Sequence, residues 1–265
     1  MAEHLIADVR NGVGSIVINR PERRNAFTAE MSQQMTEIVH RYEHDDAVRA
    51  VLIRGEGETF TAGGDVIGFH DGLTTDRFGH ASGMERRIVS GHLTFHRLRR
   101  MPKPVVVAAQ GITAGMGISL MCCADFALAA DDAQFTLAYR HIGLSPDGGV
   151  TYFLPRIVGE RRALEIALLG DRFTAAQAVD WGLVNRTFPK ESLADEAIAF
   201  ATKLACGPTL AMGAAKQLIR QSLESTWDEQ SAAEARTLSD IAASDDHLEG
   251  VTAFVEKRKA AFTGR

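Results

Sequence analysis

The stretch Val105-Val106-Val107-Ala108-Ala109 constrains this chain more than any other, because five apolar residues without alternation read as a short strand covered on both faces. The turn Gln110-Gly111-Ile112-Thr113-Ala114-Gly115-Met116-Gly117 follows at once and runs into an apolar helix that ends near residue 124. A second strand at 51–54 leads into another glycine-rich stretch at 55–71, read as a loop. Strands that must be covered by helices imply an α/β core. In 265 residues, 45% of them apolar and 24% charged, there is enough material for a sizeable core.

The rest of the first half fits that scheme. Residues 6–10 and 13–19 read as a hairpin closed by Asn11-Gly12, and Arg20-Pro21 stops its second strand. Met31, Met35, Ile38, Val39 and Tyr42 recur at helical spacing, with Thr28 as N-cap. Residues 88–101 read as an amphipathic helix ended by Pro102 and Pro104, and 126–130 and 133–136 as further strands. Beyond Gly159 the character changes to helices at 160–169, 175–181, 191–205, 209–223, 226–243 and 248–261. The expected division is a core at 1–195 and a helical C-terminal region at 196–265 whose apolar faces serve oligomerisation.

Several functions are disfavoured. The formal charge of −5, from 29 basic and 34 acidic residues, argues against a nucleic-acid binder. No run approaches the roughly 18 apolar residues of a membrane-spanning helix. The opening MAEHLIADVR has neither a signal peptide's apolar run nor a transit peptide's Arg/Ser richness, so a cytoplasmic setting is expected. The cysteines, Cys122, Cys123 and Cys206, make no disulfide framework and fit no zinc spacing. His92 and His96 stand four apart on a helix, but no third ligand is suitably spaced, so no metal is expected.

Two segments carry the chemistry: Phe60-Thr61-Ala62-Gly63-Gly64-Asp65 and the 110–117 turn. Small residues let a backbone approach a ligand closely and adopt positive φ. A helix start leaves N–H groups unpaired and carries partial positive charge. Two such donors aimed at one oxygen form an oxyanion hole. Either turn alone reads as no more than a tight turn. Neither fits a dinucleotide fingerprint, a P-loop or a hydrolase nucleophile elbow.

Taken together and in order, three segments resemble the signatures of the crotonase (enoyl-CoA hydratase/isomerase) superfamily: Asn19-Arg20-Pro21-Glu22-Arg23-Arg24-Asn25-Ala26-Phe27, Ala62-Gly63-Gly64-Asp65 and the 110–117 turn. The match continues through Gly143-Leu144-Ser145-Pro146-Asp147-Gly148-Gly149 and Leu154-Pro155-Arg156-Ile157-Val158-Gly159, and closes at Phe254-Val255-Glu256-Lys257-Arg258. The resemblance implies an α/β, crotonase-like spiral of ββα units with a helical C-terminal trimerisation region, assembled as a homotrimer or a dimer of trimers. It implies an acyl-CoA thioester substrate, with coenzyme A part of that substrate and no separate cofactor. By the same resemblance the N–H groups of Gly64 and Met116 hold the thioester oxygen. Arg23, Arg24, Ala26 and Ala62 cradle the coenzyme A arm with Asp65 nearby, and Phe254 and Lys257 cover its nucleotide end. Tyr139 and His92 are counted among the substrate contacts.

Hydratases of this superfamily use two glutamates, and the matching positions here hold Ser119 and Tyr139. Neither is a carboxylate, which argues against ordinary hydration. The acid that remains is Asp147, at the position of the aspartate in the enoyl-CoA isomerase branch, including the ring-opening isomerases of phenylacetate breakdown. A 1,3-proton shift needs one carboxylate, and Leu144 and Phe135 are expected to wall it with apolar surface. From the residues alone, Pro146-Asp147-Gly148 reads as a turn. In the chlorobenzoyl-CoA dehalogenase branch the same aspartate is a nucleophile assisted by a histidine at the place of His92 and by an aromatic residue eight positions before the aspartate, a tryptophan in that branch and Tyr139 here. Gly64 departs from that branch's bulky aromatic residue, and a histidine on an apolar helix also reads as a core residue. An atypical hydratase, or a non-catalytic RNA-binding or scaffold protein, completes the alternatives.

Overall fold

A computed structural model describes residues 4–265. Strands β1 (Leu5–Arg10) and β2 (Val13–Ile18) form an antiparallel hairpin in which Asn11 and Gly12 both take positive φ, 51° and 77°. That is the conformation an Asn-Gly connection favours. Helix α1 (Ala29–His44) starts where Thr28 accepts the Met31 N–H at 3.2 Å, and buries Met31, Met35, Val39 and Tyr42. Strand β3 (Ala50–Gly55) follows, then helices α2 (Val66–Thr75) and α3 (Arg77–Arg100).

The chain then runs through β4 (Val105–Ala109), β5 (Ile112–Ala114), α4 (Met116–Cys123), β6 (Phe126–Ala130), β7 (Gln134–Thr136), a 3-10 turn (Tyr139–Ile142) and α5 (Val150–Val158). Beyond these lie α6 (Glu160–Leu169), β8 (Phe173–Thr174), α7 (Ala175–Asp180), β9 (Arg186–Phe188), α8 (Leu193–Ala205), α9 (Thr209–Ser222), α10 (Trp227–Ala242) and α11 (Asp245–Val255).

Two sheets result. One has the order β1-β2-β3-β4-β6-β9, parallel from β2 onward; the other has the order β5-β7-β8. Strand β4 sits between β3 and β6, and all five of its residues are buried. A parallel bridge between Thr61 and Thr113 extends the second sheet past β5. Each pass of the chain therefore lays a strand in one sheet, a strand or bridge in the other, and then helix. β3–Thr61–α2, β4–β5–α4 and β6–β7–α5 repeat the unit, which is the ββα spiral expected of a crotonase-like fold. The end of each second strand delivers the chain to one edge, where the glycine-rich turns lie.

Helix α8, which spans the expected boundary at 195/196, packs its buried Leu193, Ala197, Ala201 and Ala205 on the first sheet. Small side chains let it approach closely. No single helix among the described residues is long and apolar enough to cross a membrane.

Three local expectations need correction. The 55–71 stretch is a loop only as far as Asp65, whose carboxylate caps α2 by accepting the Gly68 N–H at 3.3 Å. Helix α3 begins at Arg77 rather than at 88, because Asp76 caps it through the Gly79 N–H at 3.0 Å and no apolar stripe is needed there. The last helix ends at Val255, short of 261.

Candidate active site

The two glycine-rich turns press against each other. A Cβ built on Gly63 (φ +91°) would lie 3.1 Å from the Ala114 carbonyl oxygen, and one on Gly115 (φ +52°) would lie 3.7 Å from the Gly63 Cα. Such proximity with positive φ requires glycine. Cross-links fix the pair: the Ala114 N–H donates to the Thr61 carbonyl at 2.9 Å, the Phe27 N–H to the Gly63 carbonyl at 2.8 Å, and the Asp65 N–H to the Phe27 carbonyl at 2.9 Å. The Gly63 N–H is taken by Thr61 Oγ1 at 3.1 Å and the Gly115 N–H by the Thr136 carbonyl at 3.2 Å. Among the described residues, the intervening N–H groups of Gly64 and Met116 donate to no protein acceptor. Both residues line a cleft of about 890 Å³, near the upper end of the range that encloses organic ligands. Met116 opens α4, so its N–H belongs to the unpaired first turn of a helix.

Asp147 lines the same cleft. The Tyr139 hydroxyl donates to its Oδ1 at 2.6 Å, and Ser119 Oγ donates to its main-chain carbonyl at 3.1 Å. Burial first, and then the charge of Asp147, pushes the Tyr139 hydroxyl well above the usual phenol range. Leu144 lines the cleft as expected, but Phe135 does not wall Asp147. The alternation of β7 turns it into the core, fully buried and stacked on Phe173 with ring centroids 5.5 Å apart.

The 20–27 segment is held by side chains that the residue types alone did not single out. Buried Asn25 (φ +56°) donates to the carbonyls of Glu56 and Thr59 at 2.9 and 2.6 Å, and accepts the Arg20 N–H at 2.8 Å. Arg20 in turn bonds the Ala26 carbonyl at 3.0 Å and pairs with Asp65 at 2.8 Å. Burial alone would raise the Asp65 carboxyl, but Arg20 and the Gly68 N–H hold it below the usual range. Asp65 is thus engaged in holding the loop and capping α2. Arg23 and Arg24 are exposed, Ala26 is buried, and the Ala62 N–H donates to the Arg24 carbonyl at 2.9 Å. Ala62 lines the cleft. Phe254 and Lys257 lie at the end of α11, both exposed.

His92 is not a packed core residue: it is exposed on α3 and lines the cleft. Two further features carried no motif. The Phe69 ring of α2 fills the space beside Gly64, and Gly83 and Gly91 leave open space along α3 where it roofs the cleft. The described residues whose metal-ligating atoms gather within 4.8 Å are His40, Glu43 and His44 on α1, none of which lines the cleft, and Glu43 is paired with Arg97.

Comparison with known proteins gives one answer throughout. The sequence model of the Enoyl-CoA hydratase/isomerase family matches residues 8–265. A 1,2-epoxyphenylacetyl-CoA isomerase of Escherichia coli (strain K12) is 37% identical over 266 residues, covering 100% of both chains. A 4-chlorobenzoyl coenzyme A dehalogenase of Arthrobacter sp is 32% identical over 225 residues, 85% of this chain and 80% of that one. The crystal structure of an enoyl-CoA hydratase/isomerase from Mycobacterium abscessus superposes with a TM-score of 0.94 at 33% identity, covering 98% of this chain and 100% of the other. With its ββα spiral and paired glycine turns, the chain belongs to the enoyl-CoA hydratase/isomerase family.

Proposed function

We propose that the protein is an enoyl-CoA isomerase that shifts a carbon–carbon double bond through a thioester enolate. The observation that carries this reading is the carboxylate of Asp147 lining the cleft together with Gly64 and Met116, whose N–H groups have no protein acceptor. The other acid along the cleft, Glu30, is exposed in the first turn of α1. Water addition draws on two carboxylates, whereas a 1,3-proton shift draws on one that takes a proton at one carbon and returns it at another. The two N–H groups stabilise the charge that collects on the thioester oxygen between those steps. Coenzyme A enters as part of the substrate, and the chemistry calls on no cofactor. Likeness to a 1,2-epoxyphenylacetyl-CoA isomerase supports the same reading.

A second reading has one specific support. His92 lines the cleft and could activate water against an ester on Asp147, and a chlorobenzoyl-CoA dehalogenase is among the relatives. Purified protein offered 3-enoyl, 2-enoyl and 4-halobenzoyl thioesters separates the three chemistries. Isomerisation of the 3-enoyl substrate, with Asp147→Asn slower by about 10³-fold or more, is expected. Halide release, or an Asp147→Asn variant at full speed, would refute the isomerase.

Assembly as a homotrimer or dimer of trimers belongs to the same proposal. Support comes from large apolar side chains left exposed on α10 and α11, among them Trp227, Leu238 and Phe254. Light scattering on the purified chain decides it; a monomer at micromolar concentration would refute it.

A further inference from the structure

Asp147 is anchored twice, from two different elements. Tyr139, on the 3-10 turn, donates to Oδ1 at 2.6 Å, while Ser119, fully buried on α4, donates to the main-chain carbonyl at 3.1 Å. The next residue closes the seat. Gly148 (φ +63°) lies so near Ser119 and Phe95 that a Cβ there would meet them at 2.8 and 3.0 Å. The half-buried Tyr139 holds its hydroxyl proton against the Asp147 carboxylate, so it is a fixed donor rather than an acid.

Resting on the isomerase reading, we infer that Tyr139 is a positioning residue that clamps Oδ1 of Asp147 and leaves Oδ2 as the oxygen that takes and returns the proton. In the first step a C–H bond of the acyl chain breaks. The proton goes to Oδ2 and the electron pair into the thioester dienolate. In the second step the Oδ2–H bond breaks and a C–H bond forms at the other carbon. Nothing is oxidised, no water is consumed, and the Tyr139 proton stays in place. A carboxylate turning freely about its Cβ–Cγ bond would present either oxygen at varying distance, and proton transfer suffers steeply when a reacting atom is displaced by about an ångström. Ser119 serves the same end by fixing the backbone from which the carboxylate projects.

The test is steady-state kinetics of the full chain on a 3-enoyl-CoA, with wild type, Tyr139→Phe, Ser119→Ala and Asp147→Asn measured together and each melted thermally. Tyr139→Phe is expected to lower kcat about 10- to 100-fold with KM held within about threefold, since it alters only the carrier's orientation. Ser119→Ala is expected to show the same split with a smaller loss. A kcat for Tyr139→Phe within about threefold of wild type overturns the inference. So does a raised KM at unchanged kcat, the mark of a direct substrate contact. If Tyr139→Phe does not fold, Ser119→Ala decides: lowered kcat at constant KM supports the clamp, and unchanged kcat refutes it. Full activity in Asp147→Asn would instead refute the isomerase reading itself. An inactive Asp147→Asn beside an unimpaired Tyr139→Phe refutes the clamp alone.

Discussion

The ring of Phe69 occupies the place that a side chain on residue 64 would take: a Cβ built on Gly64 would meet Phe69 Cζ at 2.8 Å. The cleft thus has an aromatic wall beside Gly64, supplied from α2 rather than from position 64 itself. Gly64→Ala must move that ring, and a flexible side chain moves at low cost, so stability should change by less than about 1 kcal/mol. A displaced ring has the cleft to move into. Activity on a 3-enoyl thioester should fall about tenfold in kcat/KM, and the double variant Gly64→Ala/Phe69→Ala should recover most of it. A double-mutant cycle measures the coupling, and additive losses would show that ring and residue 64 act independently.

Helix α3 roofs the cleft from Gly79 to Phe95, a length of about 24 Å at 1.5 Å per residue. A Cβ on Gly83 or Gly91 would find nothing within 4 Å, so the roof is hollow at two points. Gly91→Leu should fill that hollow without strain and, by removing a helical glycine, hold or raise the melting temperature. KM for a long or ring-bearing acyl thioester should rise about tenfold while a four-carbon one is little affected, as expected when steric room is lost. Equal changes for both substrates would place the acyl group elsewhere.

What the sequence reveals divides along physical lines. Signals that are local came through: Asn11-Gly12 closes its hairpin, Thr28 caps α1, and the unalternating 105–109 run lies buried in mid-sheet. Helix α2 and the front of α3 did not, because α2 buries none of its residues and α3 buries only Thr94, Phe95 and Leu98. Aspartate caps start them, and a cap leaves no 3.6-residue stripe. At the site, residue types alone left Asp147 as a turn residue, and family resemblance pointed to it. Ser119 drew notice only as an absent carboxylate, and Tyr139 as that and as an expected substrate contact. That both bond Asp147 depends on contacts 28 and 8 residues apart, which no local pattern encodes.

Asn25 is the pin of the 20–27 segment, with three hydrogen bonds from a fully buried side chain. Asn25→Ala would leave the carbonyls of Glu56 and Thr59 without this donor and put alanine at φ +56°. The expected loss is about 2–4 kcal/mol by urea unfolding. Asn25→Gly removes the same bonds but tolerates the backbone, so it should lose about 1 kcal/mol less. Equal losses would show that the backbone conformation is not under strain.

Lys216 ties α9 to the core, pairing with Asp125 at 2.8 Å and donating to the carbonyls of Leu98 and Lys103 at 3.0 and 2.9 Å. Burial depresses it to about 8, despite the opposing pull of Asp125. The unfolded chain, with an ordinary lysine near 10.4, binds more protons than the native state across the interval between these values. Stability from this group therefore rises with pH from about 8 to about 10.4, by up to about 3 kcal/mol. Buried Cys122 and Cys123, both pushed upward by burial, act in the opposite sense as their unfolded thiols ionise, so the raw profile mixes the two. The quantity to measure is the unfolding free energy of wild type minus that of Lys216→Met at each pH, in which the cysteine contribution cancels. That difference should climb through the window. A flat difference would mean that Asp125, against the opposing charge of Arg220 that lies 2.6 Å from it, holds Lys216 charged in the native state as readily as water does in the unfolded one.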